Sequence, residues 1–557
     1  MGFKSRFLLF FVFHFLIKAQ SDPINRKNFQ TEISPTNEEI IIDGDKNEEV
    51  WKTCPVIKDF FRITPVDTGY ASAQTEVQLT YDNNYLYAAI ICYDKIIGNR
   101  PIESLRRDFN FPKNDNFIIF MDTYNDQTNG FAFGVSAAGA QWDGIQADGG
   151  DVSLDWDCKW YSAVKQYEDH WIAEFAIPFR SIRYQEDVDE WGINFSRFSL
   201  LENEKSAWAP VPRQFKSSTL AFTGTLKWEN PPPSLGTRFS IIPYVSSQAF
   251  ENIDAGEGIS SNSDFGLDGK ITLSTSLNVD LTVNPDFSQV EVDKQRTNLD
   301  RFELFFPEKR QFFLENSDLF ASLGNKHIRP FFSRRIGFNS PVKIGARISG
   351  KIGSNYRLGI MNVQTEPGDD NLSSIFTVAT MQRKIFSRSS LSTFIVNKNL
   401  DNTDDNISSY NRIVGVDFNL ASADNLWTGK AFYHHSFYKN AANKPFATTG
   451  SLKYNNGVLS ADIDYSFVGS GYEAEVGFVK RNGYHQFRPI IEYKFYPNKG
   501  SIQNHGPSIK LDTFVDEDFD LTDQEIEIKY IINWKDRSKF TFDLENGYVK
   551  LLSPFDP

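Results

Sequence analysis

The sequence predicts an all-β chain, with a β-sandwich in its N-terminal half followed by an antiparallel outer-membrane β-barrel that is C-terminally incomplete. Three observations predict it. Residues 35–228 read as short strands parted by polar turns. Residues 236–557 read as segments of about ten residues with one apolar face. Beyond the N-terminus no apolar run reaches the ~20 residues of a spanning helix. A membrane part must then be a closed barrel, in which every backbone group finds a partner strand.

The N-terminus sets the compartment. Lys4 and Arg6 precede an apolar run over 7–17, and Ala19 offers a small residue for cleavage before Gln20. This is the pattern of a signal peptide over 1–19, the alternative being a buried terminal strand or helix. No cysteine follows the cut, so no lipid anchor is expected. The net charge of −14 argues against a nucleic-acid partner. Cys54, Cys92 and Cys158 are spaced too widely for a metal knuckle. Export permits one disulfide among them, with the pairing not readable.

In the first half, Thr75, Val77, Leu79 and Tyr81 alternate with polar residues, and Asp82-Asn83-Asn84 turns the chain. Leu86, Ala88, Ile90 and Cys92 alternate on the return, giving a hairpin with one buried face. The run 117–121 is apolar on both faces and fits a central strand. Two further strands start at Trp171, ending at Pro178, and at Trp191. Trp51, Trp171 and Trp191 sit in apolar patterns and are expected in the core.

The order Ile42-Asp43-Gly44 to Trp51, then Tyr81-Asp82-Asn83-Asn84-Tyr85-Leu86-Tyr87, Asn114-Asp115-Asn116-Phe117 and Trp171 to Pro178 resembles the family 9 carbohydrate-binding domain. The resemblance implies a β-sandwich that clamps the end of a sugar chain between two aromatic rings, in some members with calcium. One family aromatic falls at Phe109-Asn110-Phe111, where the usual residue is Trp, and the other at Trp208. Arg106, Arg107 and Asp108 stand where polar sugar contacts would come. Rings cover the C–H face of a sugar while polar groups hold its hydroxyls. The polar and proline neighbours of Trp208 predict an exposed loop position, whereas Phe109 or Phe111 has plugging of the sandwich end as its alternative. Trp142-Asp143, Asp148, Asp151, Asp155-Trp156-Asp157 and Trp160 form an acidic stretch that offers oxygen ligands to calcium. A solvated acidic loop is the commoner meaning of such a stretch. Asp122 and Asp126 share that ambiguity.

Pro231-Pro232-Pro233 marks a linker. After it, alternation runs over 271–283, 414–420, 459–467, 472–478 and 526–534. Tyr465, Phe467, Phe478 and Trp534 at segment ends fit interfacial girdles. A soluble antiparallel sheet would alternate too, but no amphipathic helices are available to cover it. The block Asn284 to Asp293, Arg301 to Glu315 and Phe331 to Gly337 is similar to domain of unknown function 5916, a family of no established biochemical role that follows a family 9-like domain. Its paired charges (Arg301/Glu303, Glu308/Lys309/Arg310, Arg334/Arg335) predict a salt-bridged plug or loop in the lumen. A catalytic alternative uses Glu303, Glu308 or Glu315 as glycosidase acid and base. The chain stops at Asp556-Pro557 without a terminal aromatic strand, which is the ground for expecting an incomplete barrel.

The leading functional expectation is a carbohydrate-binding outer-membrane protein whose sandwich captures glycans, in the setting of carbohydrate catabolism. The alternatives are a hydrolase of O-glycosyl bonds with the sandwich as targeting module, and a structural or transport barrel. No Ser/His/Asp arrangement, phosphate loop or zinc motif appears, so no catalytic residue is assigned. No metal or other cofactor is assigned either, calcium being the one candidate.

Overall fold

The computed structural model describes residues 28–551, apart from 187, 235, 237, 252–257, 286–294, 299–300, 339, 368–371 and 401–409. The expected signal peptide, part of the block after Pro285 and the chain end from 552 lie outside the described residues. The rest is almost entirely β.

The N-terminal half is a sandwich. One sheet runs in the order Gln30–Ile33, Gly224–Trp228, Glu190–Ser199, Asn116–Asp122, Gly130–Ser136, Gln141–Ala147, Asp151–Ser153, with Glu204–Ala207 and Phe61–Thr64 attached at one side. The other runs Thr75–Tyr81, Tyr85–Tyr93, His170–Pro178, Tyr161–Gln166. The expected hairpin is present, with Tyr81 opposite Leu86. Between the sheets Phe117, Phe133 and Phe195 meet Val77, Ile90, Trp171 and Phe175, all fully buried. The run 117–121 is apolar on both faces because both are covered. Ile118 and Phe120 point away from the core and pack under Phe109 and Trp142. Trp51, Trp171 and Trp191 are buried as expected. All three cysteines are free thiols.

On the outer side of the smaller sheet, Glu174 is buried beneath the turn at 43–44. Its carboxylate accepts the backbone N–H of Asp43 (3.1 Å) and of Gly44 (2.9 Å). Burial pushes its pKa up to about 7.

The C-terminal half is one antiparallel sheet of 15 strands in chain order, interrupted only by two two-residue strands outside it among the described residues, from Arg238–Phe250 to Lys539–Val549. Those two edge strands do not pair with each other among the described residues. The alternation is inside-out relative to the sandwich. In Ser389–Leu400, Ser392, Phe394 and Val396 are buried while Leu391 and Ile395 are exposed. In Tyr410–Ala421, Asn411, Ile413 and Asp417 are buried while Val414 and Val416 are exposed. The exposed face is thus apolar, and the covered face mixes apolar and ionised groups, as in a barrel wall.

What covers that inner face is the part of the connection 284–341 from Phe313 to Ile336. Phe313, Leu319, Phe320, Leu323, Ile328, Phe331 and Ile336 pack against Met361, Val378, Phe394, Ile413 and Phe432 of the wall. The expected plug is therefore present, with different partners. Glu308 pairs with Arg310 (2.7 Å), but Glu303 pairs with Arg335 (2.5 Å) and Arg301 with Asp523. The run 472–478 is corrected as well. It forms no wall strand, because Tyr472 and Val476 turn inward onto the plug and only Phe478–Val479 pairs, with Ile328–Arg329. Phe467 and Phe478 are buried, so they belong to no girdle, whereas Tyr465 stays exposed.

The wall has two unlike ends. Its short turns, 275–276, 353–355, 386–388, 422–426, 456–458, 494–501 and 535–538, lie at one end. The long connections 284–341 and 469–483 lie at the other. The sandwich docks on the short turns. Tyr184 O accepts from the Thr275 and Ser276 hydroxyls, both at 2.8 Å. The Arg213 guanidinium lies 4.1 Å from the Tyr496 ring centre, and Asn203 donates to Lys535 O at 2.6 Å.

Candidate functional site

The positions that the sequence nominates for sugar contact do not form one cleft. Trp208 follows the strand Glu204–Ala207, which pairs with both Glu190–Ser199 and Phe61–Thr64 and so carries it over the sandwich end. Only 7% of Trp208 is exposed. Its ring meets Phe29 edge-on at 5.9 Å and Phe195 at 5.8 Å. The fit needs glycine opposite, because a Cβ on Gly224 would lie 2.6 Å from the indole. The expected exposed loop position is corrected to a core position.

Phe109 is also buried, but in the separate cluster with Ile118 and Trp142, so it plugs the outer face of the larger sheet. Phe111 is half-buried and stacks on Phe198 with centroids 5.6 Å apart, with the Lys205 ammonium 5.5 Å from its ring centre. Arg106 is exposed, its backbone N–H donating to Ser104 Oγ (3.0 Å).

Arg107 and Asp108 join an ionic cluster. Carboxylate oxygens of Asp108, Asp143 and Asp157 lie within 4.8 Å of one another. Asp108 reaches it through a left-handed backbone conformation, φ 57°. Burial, then the neighbouring Asp157 and Asp143, push the Asp108 carboxyl up to about 6. Three carboxylates suit a hard cation such as calcium, but a cation already stands among them. Arg107 reaches Asp143 at 2.5 Å and Asp157 at 2.6 Å, and also donates to Cys158 O at 2.8 Å. The guanidinium neutralises two of the three, so the set fits a bound metal poorly. Elsewhere the acidic stretch disperses. Asp151 pairs with Lys216 at 2.5 Å, and the side chains of Trp142 and Trp160 are buried.

Asp122 and Asp126 serve the fold. Asp122 accepts the backbone N–H of Asp126 (2.9 Å) and of Gln127 (2.7 Å). Asp126 is buried against Lys351 of the wall at 2.7 Å, and its own carbonyl accepts from Lys384 Nζ at 2.8 Å. Burial would raise the Asp126 carboxyl, but the Lys351 ammonium holds it well below the usual carboxylate range. Nearby, Glu315 of the plug accepts from Arg183 (2.8 Å) and Asn278 (2.7 Å) and is paired with Lys270. Sandwich, plug and wall are therefore tied by buried ion pairs.

Between these ties lies a cavity of about 170 Å³. The sandwich contributes Gln146, Trp156 and Arg180, the plug Gln311 and Asn316, and the wall strand Val342–Ile352 contributes Lys351. The sequence singled out Trp156 only within the acidic stretch. Nothing in it pointed to Gln146, Gln311 or Lys351, since their meeting depends on docking between segments hundreds of residues apart.

The carboxylates considered for catalysis are all engaged by cations. Burial alone would raise Glu308 and Glu315. Arg310 holds the first below its usual range, and Arg183 with Lys270 and Arg347 hold the second there. Glu303 is bound by Arg335. A general acid needs a raised pKa, and neither buried carboxylate has one.

Two family models match the chain. Carbohydrate family 9 binding domain-like covers residues 42–230, and Domain of unknown function (DUF5916) covers 235–351. The chain thus carries a family 9-like carbohydrate-binding domain followed by DUF5916. No curated protein matches it. Among solved structures, a family 9 carbohydrate binding module from Caldicellulosiruptor kristjanssonii in complex with cellotriose aligns at 16% identity, over 36% of this chain and 94% of that one, with a TM-score of 0.26. A putative carbohydrate-binding protein from Bacteroides uniformis aligns at 13% identity over 36% and 98%, with a TM-score of 0.29. OccK7 (OpdD) of Pseudomonas aeruginosa aligns at 9% identity over 86% of each chain, with a TM-score of 0.26.

Proposed function

We propose that this chain is a carbohydrate-binding protein of the outer membrane. The observation that carries the reading is the family 9-like domain match over 42–230, fused to a sheet whose exposed face is apolar. Members of the domain family bind sugars, and the module from Caldicellulosiruptor kristjanssonii is in complex with cellotriose. An apolar outward face opposite an ionised, plugged inner face suits a wall set in lipid. In such walls short turns face the periplasm and long loops the exterior. The sandwich docks on the short turns, which puts it in the periplasm under this reading. The plug fills the inner face, which favours capture over open conduction.

The test has two arms on the full chain. The protein is expected to fractionate with outer membrane and to bind neutral glycans on an array. Recovery as a soluble protein removes the membrane part, and an array without a hit removes the carbohydrate part.

A further inference from the structure

We infer that the cavity between sandwich, plug and wall binds a single ring of a neutral sugar, so that the sugar site is built jointly by both halves of the chain. The inference rests on the carbohydrate reading and gives it a location away from the Phe109 and Trp208 positions, which are both filled by packing.

The chemistry of the lining supports a neutral, polyhydroxylated ligand. Four of the cations around the cavity are already neutralised in pairs, Arg180 at the exposed mouth being the exception. Lys351 is bound to Asp126, Arg183 and Lys270 to Glu315, and Arg357 to Asp318 through contacts of 2.5 and 3.1 Å. An anion would have to compete with carboxylates for every one of these cations. Among its buried atoms the lining leaves one acceptor and one donor unpartnered. Gln146 Oε1 and Arg183 Nε are buried and make no hydrogen bond, although Gln146 Nε2 donates to Ser218 O and the Arg183 Nη atoms are engaged. A buried polar atom without a partner costs roughly 1–3 kcal/mol. A sugar hydroxyl, donor and acceptor at once, satisfies either kind.

The cavity also offers an aromatic ring. Trp156 is half-buried at its wall, and Phe131 and Phe133 meet it at interplanar angles of 53° and 76° rather than stacking on it. Indole faces pack well against the C–H face of a pyranose. The volume is below the ~300–1,000 Å³ of drug-sized sites, so it admits a ring and not a chain. Asp157, Arg180 and Gln311 are exposed around it and mark the mouth. A longer glycan would enter by one end, with the remainder outside.

The experiment uses the whole chain, an array of neutral, uronic and sulfated mono- and oligosaccharides that includes glucose and cellotriose, and three variants. Trp156→Ala removes the ring, Gln311→Trp fills the mouth from an exposed position, and Phe111→Ala tests the family position. At least a tenfold loss of binding is expected in the first two, with Phe111→Ala unchanged. Gln311→Trp decides the matter if Trp156→Ala folds poorly. Native-like binding by a folded Gln311→Trp overturns the cavity assignment and leaves the carbohydrate reading standing. Loss in Phe111→Ala with both cavity variants intact overturns it in favour of the family position. Binding confined to uronic or sulfated glycans overturns the neutral class. If the native protein retains no glycan, the carbohydrate reading fails and this inference with it.

Discussion

The two halves of the chain use the same period-two alternation in opposite senses. In the sandwich, alternate apolar side chains face a second sheet, and Phe117, Phe175 and Phe195 disappear between the layers. In the 15-stranded wall, Ile395, Val414, Ile463 and Ile509 face outward with no layer over them, while Asp417, His434 and Arg347 are buried on the inner side. The strand itself is indifferent to this choice, because its geometry only places successive side chains on opposite faces. What distinguishes the halves is the partner of the apolar face. In the first half another sheet supplies it, and in the second no part of the described chain does. The same residue type therefore has opposite sensitivities in the two halves, and that contrast can be tested directly.

The largest effect is expected in the sandwich. Trp208→Ala removes a buried indole wedged between Phe29, Phe195 and Gly224. It should cost about 3–5 kcal/mol, the range for truncating a core aromatic. Denaturant unfolding followed by tryptophan fluorescence measures it. A variant of native stability with impaired glycan binding would restore the ligand role that the sequence suggested for this residue.

That residue also shows how far the sequence could be read. Alternation gave the hairpin at 75–93, the central strand at 116–122 and most of the wall, because strand periodicity is local. It failed at 472–478, whose alternation is genuine but is spent on covering the plug. Among the site residues, the polar and proline flanks of Trp208 read as a loop, and the burial came from a strand pairing with residues more than 140 positions earlier. Asp108 and Asp143 do meet, although they were nominated for different tasks. The cavity was invisible for the same reason as the Asp126–Lys351 pair. Both arise where two folded halves dock, and no local pattern encodes that.

A smaller effect is expected on the wall. Ile395→Arg places a charge at mid-strand on the exposed apolar face, opposite Val414. If that face lies in lipid, the substitution should cost about 2–4 kcal/mol of folding stability in vesicles. The same change on a water-facing strand would be nearly neutral. Equal stability of Ile395→Arg and native protein in lipid would mean that this face is not in the bilayer, and the contrast between the halves would need another cause.

The smallest effect, and the most specific, is a pH dependence confined to the sandwich. Glu174 is buried under the turn at 43–44, and its pKa is raised to about 7 from an ordinary value of 4.5. The folded state therefore holds the proton more tightly than the unfolded one. Stability from this group is fully present below about pH 4.5 and is lost as pH rises through about 7. The shift corresponds to at most about 3.5 kcal/mol at ~1.4 kcal/mol per unit. Glu174→Gln keeps an oxygen for the Asp43 and Gly44 N–H groups but cannot ionise. The variant should match native protein near pH 4.5 and become progressively more stable than it up to pH 8. Asp108 and Asp115, both raised to about 6, act in the same direction and will leave a residual slope in either protein. The measurement is the difference in denaturant midpoint between the two proteins across that range. A difference independent of pH would show that Glu174 is already ionised in the fold, and that the turn at 43–44 holds it as a carboxylate.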